Sequence, residues 1–168
     1  MKRRFMCMKI SMALLGKTDG HNDGEASYPD VASFIKSNGA HPKRDLGELW
    51  KRIVFNMAVS NTDDHLRNHG FLLSRDGWVL SPQYDVNPDI YGNTLSLNVD
   101  GHDNSIDFGL AIETAKYYDV KAKDAKNIAH DIEKTVSKNW RTLAADCGLT
   151  KKAIEAMEPA FSCTLQNH

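Results

Sequence analysis

Ser60-Asn61-Thr62-Asp63-Asp64-His65-Leu66-Arg67-Asn68-His69-Gly70-Phe71-Leu72-Leu73-Ser74 is the stretch on which the reading of this chain turns. From Ser60 to His69 it is polar except for Leu66, and from Gly70 it becomes apolar. An amphipathic run leads into it. Leu46, Leu49, Trp50, Ile53, Val54, Met57 and Ala58 recur at three- and four-residue steps, the stripe of a helix with one face in a core. Asp45 is the expected N-cap of that helix. Two strands lead out of it, Gly70 to Ser74 and Trp78 to Ser81, joined by Arg75-Asp76-Gly77. Asp-Gly between apolar runs signals a hairpin. Helix, polar loop, hairpin is the frame around which the rest is placed.

Outward from this frame the chain reads mostly as helix. Phe5 to Leu15 is apolar and fits either a strand or the start of a helix. Lys17 to Ala26 is rich in glycine, aspartate and asparagine, so it reads as a loop. Ser27 to Asn38 reads as a short helix, with Pro29 in its first turn, a stripe of Val31, Ala32 and Ile35, and Gly39 as its stop. Asn87 to Asp107 is irregular, with a short strand expected at Thr94 to Val99. Phe108, Ala111, Ile112 and Ala115 mark another helix. A longer one starts near Lys123, turns Ile128, Ile132, Val136, Trp140 and Leu143 to the core and stops at Gly148. Thr150 caps a terminal helix carrying Ile154, Met157 and Phe161, which Pro159 kinks or ends. The expected fold is α+β, mainly α-helical, with a small β-hairpin beside the polar loop. The chain reads as a single domain, 1–168.

Composition narrows the function. The 168 residues are 41% hydrophobic and 26% charged, an ordinary globular mixture, and the formal charge of −1 gives no electrostatic case for nucleic acid or a membrane surface. Three cysteines, Cys7, Cys147 and Cys163, fit neither a disulfide framework nor a zinc ribbon, and a cytoplasmic location is the expectation. The lysines between Lys116 and Lys138 alternate with acids, as on a solvated helix face. Trp50, Trp78 and Trp140 are not interleaved with a basic patch and are expected in the core.

The chemistry lies in the polar loop and its sequel. Asp63 stands five positions before Asn68, and Asp85 follows the second strand in Tyr84-Asp85-Val86, bracketed by Pro82 and Pro88. A carboxylate base, a metal-binding amide and a metal-binding carboxylate in that order are the parts a protein-kinase-like site uses to move a phosphoryl group. Magnesium takes oxygen ligands and keeps several waters, so an amide oxygen and a carboxylate suffice to hold it. Each residue taken alone has a plain structural reading: Asp63 or Asp64 capping a turn, Asn68 in a left-handed conformation, Asp85 opening an Asx-turn before Pro88. Taken in this order, the three favour the functional reading. A metal-dependent hydrolase is the alternative enzyme class, because His65 and His69 are four apart beside two aspartates. A non-catalytic binding module, or one subunit of a split kinase, is the alternative outside catalysis.

Asn61-Thr62-Asp63-Asp64-His65-Leu66-Arg67-Asn68-His69-Gly70-Phe71 and Leu80-Ser81-Pro82-Gln83-Tyr84-Asp85-Val86-Asn87-Pro88, with Ser11-Met12-Ala13-Leu14-Leu15-Gly16 and the helix through Leu49 to Asn56, resemble the C-terminal lobe of HipA-like serine/threonine kinases, toxins of bacterial toxin–antitoxin modules. The resemblance implies Asp63 as the catalytic aspartate and Asn68 and Asp85 as the Mg²⁺ ligands beside ATP. Thr62 and His65 stand where mainstream protein kinases have Arg and Lys, so His65 or Arg67 is the expected contact to the transferring phosphate, with a structural hydrogen-bonding role for His65 equally open. No Gly-rich nucleotide loop is found, since Gly16, Gly20 and Gly24 lack the Gly-Lys-Ser/Thr ending. By the resemblance the nucleotide-gripping N-terminal lobe is absent, and the chain alone is expected to be weak or inactive. An antitoxin or an N-lobe-bearing protein is the implied partner, and a translation component such as an aminoacyl-tRNA synthetase the implied target. Phe5, Met6, Met8, Ile10 and Met12 are the apolar residues expected either to meet such a partner or to fold back into the core.

Overall fold

Helix α3, Pro42–Ala58, is the element on which the others pack, and its sequence shows why. Leu46, Leu49, Trp50, Ile53, Val54 and Met57 have no measurable exposure, so the stripe is wholly in the core. The computed structural model describes residues 8–16 and 26–163. The readings made on Phe5, Met6, Cys7 and the loop from residue 17 to residue 25 lie outside them. The elements before α3 are β1 (Met8–Ile10), α1 (Ser11–Leu14) and α2 (Tyr28–Asn38). After it come a 3₁₀ turn (Leu66–Asn68), β2 (Gly70–Ser74), β3 (Gly77–Leu80), α4 (Phe108–Thr114), a second 3₁₀ turn (Ala115–Tyr118), α5 (Ala122–Asp146), α6 (Lys151–Ala156) and a last 3₁₀ turn (Glu158–Phe161). The architecture is a mainly helical α+β arrangement with one small antiparallel sheet.

The apolar segment expected to be strand or helix is both in succession, β1 and then α1. β1 pairs antiparallel with β2, Lys9 opposite Phe71, so the hairpin grows to a three-stranded sheet in the order β1-β2-β3. β2 and β3 pair with Phe71 opposite Leu80 and Ser74 opposite Gly77. Met12, Leu14 and Leu15 pack against the core, while Met8 stays 51% exposed.

α2 begins on a capping box: the Ser27 side chain accepts from the Asp30 amide, and Asp30 accepts from the Ser27 amide. It ends at Gly39, though not through a left-handed turn. There β3 crosses so closely that the Ala40 amide donates to the Trp78 carbonyl at 2.7 Å. A Cβ on Gly39 would lie 2.5 Å from the Ile35 carbonyl oxygen, and one on Gly77 would lie 2.7 Å from that of Asn38. Gly77 therefore lets the strand touch the end of the helix backbone to backbone, while Gly39 leaves room for the Ile35 carbonyl of its own helix.

Three expectations are corrected. Asp45 does not cap α3. The helix starts a turn earlier, with Pro42 in its first turn and His41 as N-cap, because proline fits the first turn, where its missing N–H is not needed. The Asp45 carboxylate is buried and accepts from the Leu80 amide at 3.1 Å, tying α3 to β3. Thr94 to Val99 is not a strand. It forms only isolated bridges, Thr94 to Ser105 and Ser27 to Asn98, yet its alternation is real, since Leu95, Leu97 and Val99 are buried. Leu143 is 59% exposed, because α5 presents its inner face through Ala125, Ala129 and Trp140 and runs past the core beyond that point. Small alanines let α5 approach α3 closely. Gly148, at φ 87°, supplies the left-handed stop, and Thr150 caps α6 by accepting from the Ala153 amide. No helix among the described residues is long and apolar enough to cross a membrane.

Candidate active site

The polar loop begins where α3 can no longer continue. Ser60 takes φ 47°, a left-handed conformation unusual for a residue with a side chain, and the Asn61 amide turns back to the Asn56 carbonyl at 2.8 Å. From there the two adjacent aspartates part. The Asp63 side chain is 77% exposed and that of Asp64 only 4%.

Asp63 is held through its backbone, which leaves its carboxylate open. Its carbonyl accepts from the His65 amide at 3.1 Å and from the Asn68 side-chain amide, also at 3.1 Å. The buried Leu66 pins the 3₁₀ turn that closes this ring. Because Asn68 spends its Nδ2 on Asp63, its Oδ1 points the other way, and no described residue donates to it. That oxygen is the kind of hard donor Mg²⁺ accepts.

Asp64 faces inward, and one of its oxygens takes three donors. Its Oδ2 accepts from Asn56 Nδ2 at 2.6 Å, Tyr28 Oη at 2.7 Å and His69 Nε2 at 3.1 Å. Burial pushes this carboxyl up, but His69 and the hydrogen bonds from His69 and Tyr28 outweigh it, so the net shift is downward and the group is ionised. Burial and the same carboxylate raise the Tyr28 hydroxyl well above its ordinary value and keep it a donor. His69 meets the Tyr28 ring edge-on at 5.8 Å, and its carbonyl accepts from both the amide and the hydroxyl of Ser11, which ties α1 to the loop.

Asp85 arrives on a separate turn. β3 runs out through Ser81, whose carbonyl accepts from the buried Arg52 at 2.8 Å. Tyr84 Oη then donates to the Arg67 carbonyl at 2.6 Å, joining the Asp85 turn to the polar loop. Asp85 itself is exposed, with φ 58°, and one of its oxygens accepts from the Asn87 side chain at 3.0 Å. Strained backbone at Ser60 and Asp85, one on each arm, is a common mark of functional geometry. Outside the loop, Thr62 Oγ1 donates to Asp89 at 2.7 Å and Ser96 Oγ to the Thr62 carbonyl at 2.7 Å.

Asp63, His65 and Arg67 line a cleft of about 370 Å³, with Ser96 and Asn104 beside them and Leu66, Leu95 and Leu97 behind. Asn68 and Asp85 do not line it. They reach it through bonds to its wall, Asn68 through the Asp63 carbonyl and the Asp85 turn through the Arg67 carbonyl. His65 Nε2 lies 4.0 Å from Asp63 Oδ1, beyond hydrogen-bond reach. His65 and His69, paired in the hydrolase reading, face different aspartates. Among the described residues no group of three or more His, Cys, Asp or Glu side chains converges to hold a metal. The Asn68 amide oxygen and the Asp85 carboxylate are hard oxygen donors of the type Mg²⁺ takes. The hydroxyl, amide and imidazole donors to Asp64 were not foreseen. The legible signal for them was Asn56, an amide on the apolar stripe of α3.

A model of the HipA-like C-terminal domain matches residues 3–140. A Haemophilus influenzae protein bearing the name "Putative kinase" is 30% identical over 86 residues, 48% of this chain and 25% of that protein. A Sinorhizobium fredii protein named "Putative kinase Y4mE" is 28% identical over 65 residues, 39% of this chain and 16% of its own length. HipA in the solved Shewanella oneidensis MR-1 complex of HipA, HipB and operator DNA superposes with a TM-score of 0.70 at 14% identity, over 92% of this chain and 41% of that one. The chain thus spans a quarter or less of the curated relatives it matches and under half of the solved one.

Proposed function

We propose, from the premise that this chain belongs to the family of HipA-like C-terminal domains, that it is the catalytic lobe of a serine/threonine protein kinase. In this reading Asp63 accepts the proton of a protein Ser or Thr hydroxyl as its oxygen attacks the γ-phosphorus of ATP. The new bond is oxygen to γ-phosphorus. The bond that breaks joins that phosphorus to the β–γ bridging oxygen, and ADP leaves with the electron pair. Asn68 and Asp85 hold Mg²⁺, which when bound neutralises the charge on the phosphates. His65 and Arg67, on the wall beside Asp63, contact the transferring group.

The observation that supports this most is the bond from the Tyr84 hydroxyl to the Arg67 carbonyl. It seats the Asp85 turn against the loop that carries Asp63 and Asn68, two motifs that share no sequence neighbourhood. Nucleotide grip is assigned to parts outside these residues, in keeping with the fraction of each relative the chain covers. An antitoxin is the proposed regulatory partner, by analogy with the HipB in the solved complex.

The test is phosphoryl transfer from γ-labelled ATP with Mg²⁺, by the chain alone and with a nucleotide-gripping HipA-type lobe supplied. Alone it transfers little. With the lobe it labels protein hydroxyls, and Asp63→Asn cuts the rate by about 10²–10⁴, the usual contribution of a general base. Robust labelling or tight Mg-ATP binding by the chain alone would overturn the assignment of nucleotide grip. A supplemented rate indifferent to Asp63→Asn would overturn the role of the base.

A further inference from the structure

We infer that Asn56 is a positioning residue, whose buried amide sets the Asp85 turn against the loop of Asp63 and Asn68; its functional meaning rests on the kinase reading above. Asn56 is wholly buried on α3 and touches neither substrate nor metal in that reading. Its two ends point at the two arms of the site. Nδ2 donates to Asp64 in the polar loop at 2.6 Å. Oδ1 accepts from Gln83 Nε2 at 3.1 Å and from Asn61 Nδ2 at 3.2 Å. Gln83 is two residues before Asp85. Asn61, having spent its nitrogen on Asn56, turns its own Oδ1 to the backbone amide of Asn87 at 3.3 Å, two residues after Asp85. The turn is therefore gripped on both sides of Asp85 by amides that converge on one side chain.

The directions of these bonds are not interchangeable. An ionised carboxylate only accepts, so Asp64 forces Asn56 to present its nitrogen there and its oxygen to Gln83 and Asn61. Asn61 is then oriented in turn. One buried charge sets the sense of every amide out to Asn87. An aspartate at 56 would offer Asp64 no donor and would set two carboxylates against each other. The two grips can be cut separately: Gln83→Ala removes the one before Asp85, and Asn61→Ala the one after it.

Backbone hydrogen exchange in the full chain tests this without any turnover. Asn56→Asp should raise exchange at the Asn87 amide about tenfold or more over the amides of α5, and Asn61→Ala, which removes the acceptor of that amide, should raise it about as much. Should Asn56→Asp fail to fold, Gln83→Ala removes a single link from a half-buried residue and should loosen the Asp85 turn in the same direction, by about threefold. Unchanged Asn87 exchange in Asn56→Asp, or in Asn61→Ala, would overturn the inference. If Asn56→Asp is unfolded, an unmoved turn in Gln83→Ala would do so instead. Mn²⁺ binding, followed by paramagnetic resonance, separates this from the kinase reading. Affinity should fall about tenfold in Asn56→Asp and fall in the same direction, by less, in Gln83→Ala. Equal affinity in Asn56→Asp and parent counts against Asn56. Absence of Mn²⁺ binding in the parent counts against the metal pair Asn68 and Asp85, and the exchange data then decide Asn56 by themselves.

Discussion

Asp63 and Asp64 share a peptide bond and almost nothing else. One carboxylate is open to a cleft and held only through its backbone. The other is enclosed, and one of its oxygens takes three side-chain donors. The loop is fixed through the inner carboxylate, and the outer one is left free. A loop of polar residues has few apolar contacts of its own to fix it. The buried charge at Asp64 binds it to α2, α3 and the start of β2, and that leaves Asp63 nothing to do for the fold.

The largest expected effect follows from removing the inner partner. Asp64→Ala strands Tyr28, Asn56 and His69 as buried groups without their acceptor and should cost about 3–5 kcal/mol in urea unfolding. A cost below about 1 kcal/mol would break the contrast between the two aspartates. Next, Tyr28→Phe removes one donor to an ionised group and should cost about 1.5–3 kcal/mol by the same measurement.

A pH series sharpens the contrast further. The Asp64 carboxyl lies below its ordinary value in the fold. Its stabilisation is therefore complete above the unfolded value of about 3.9 and is lost as pH falls through the lowered folded one. The urea midpoint of the parent should exceed that of Asp64→Asn by a constant amount above about pH 5, and the gap should narrow on acidification below about pH 4. A gap that widens on acidification would reverse the assignment. The smallest effect belongs to the outer residue: Asp63→Ala should leave stability within about 0.5 kcal/mol of the parent. A larger loss would give Asp63 a structural duty.

Much of the frame was legible because its signals are local. The stripe of α3, the Asp-Gly hairpin and the left-handed stop at Gly148 depend on residues a few positions apart, and all three are present. The misreadings came where a distant contact decides. Asp45 looks like a cap until β3 supplies the Leu80 amide as its partner, 35 residues on. Leu143 continues a periodic stripe, but among the described residues it is left exposed. Thr94 to Val99 was read as a strand, but it makes only isolated bridges, and its alternation serves to bury Leu95, Leu97 and Val99. In the site, spacing singled out Asp63, Asn68 and Asp85 and the resemblance added His65 and Arg67; Asp63, His65 and Arg67 line the cleft. The opposite facing of Asp63 and Asp64 was not legible, because which of two adjacent aspartates turns inward depends on Tyr28 and Asn56, 36 and 8 residues away.

The far end of the molecule obeys a different rule. α6 buries none of its side chains. It is kept in place by Phe161 stacked on Trp140 at 4.2 Å, by Arg141 paired with Glu158, and by the buried Ala160. Such a hairpin can peel from α5 as a unit while the helices around Trp50 stay assembled. Among the described loops, a protease added to the folded chain will therefore cut near Gly148 before it cuts the polar loop, and the larger product will keep that loop and both of its arms.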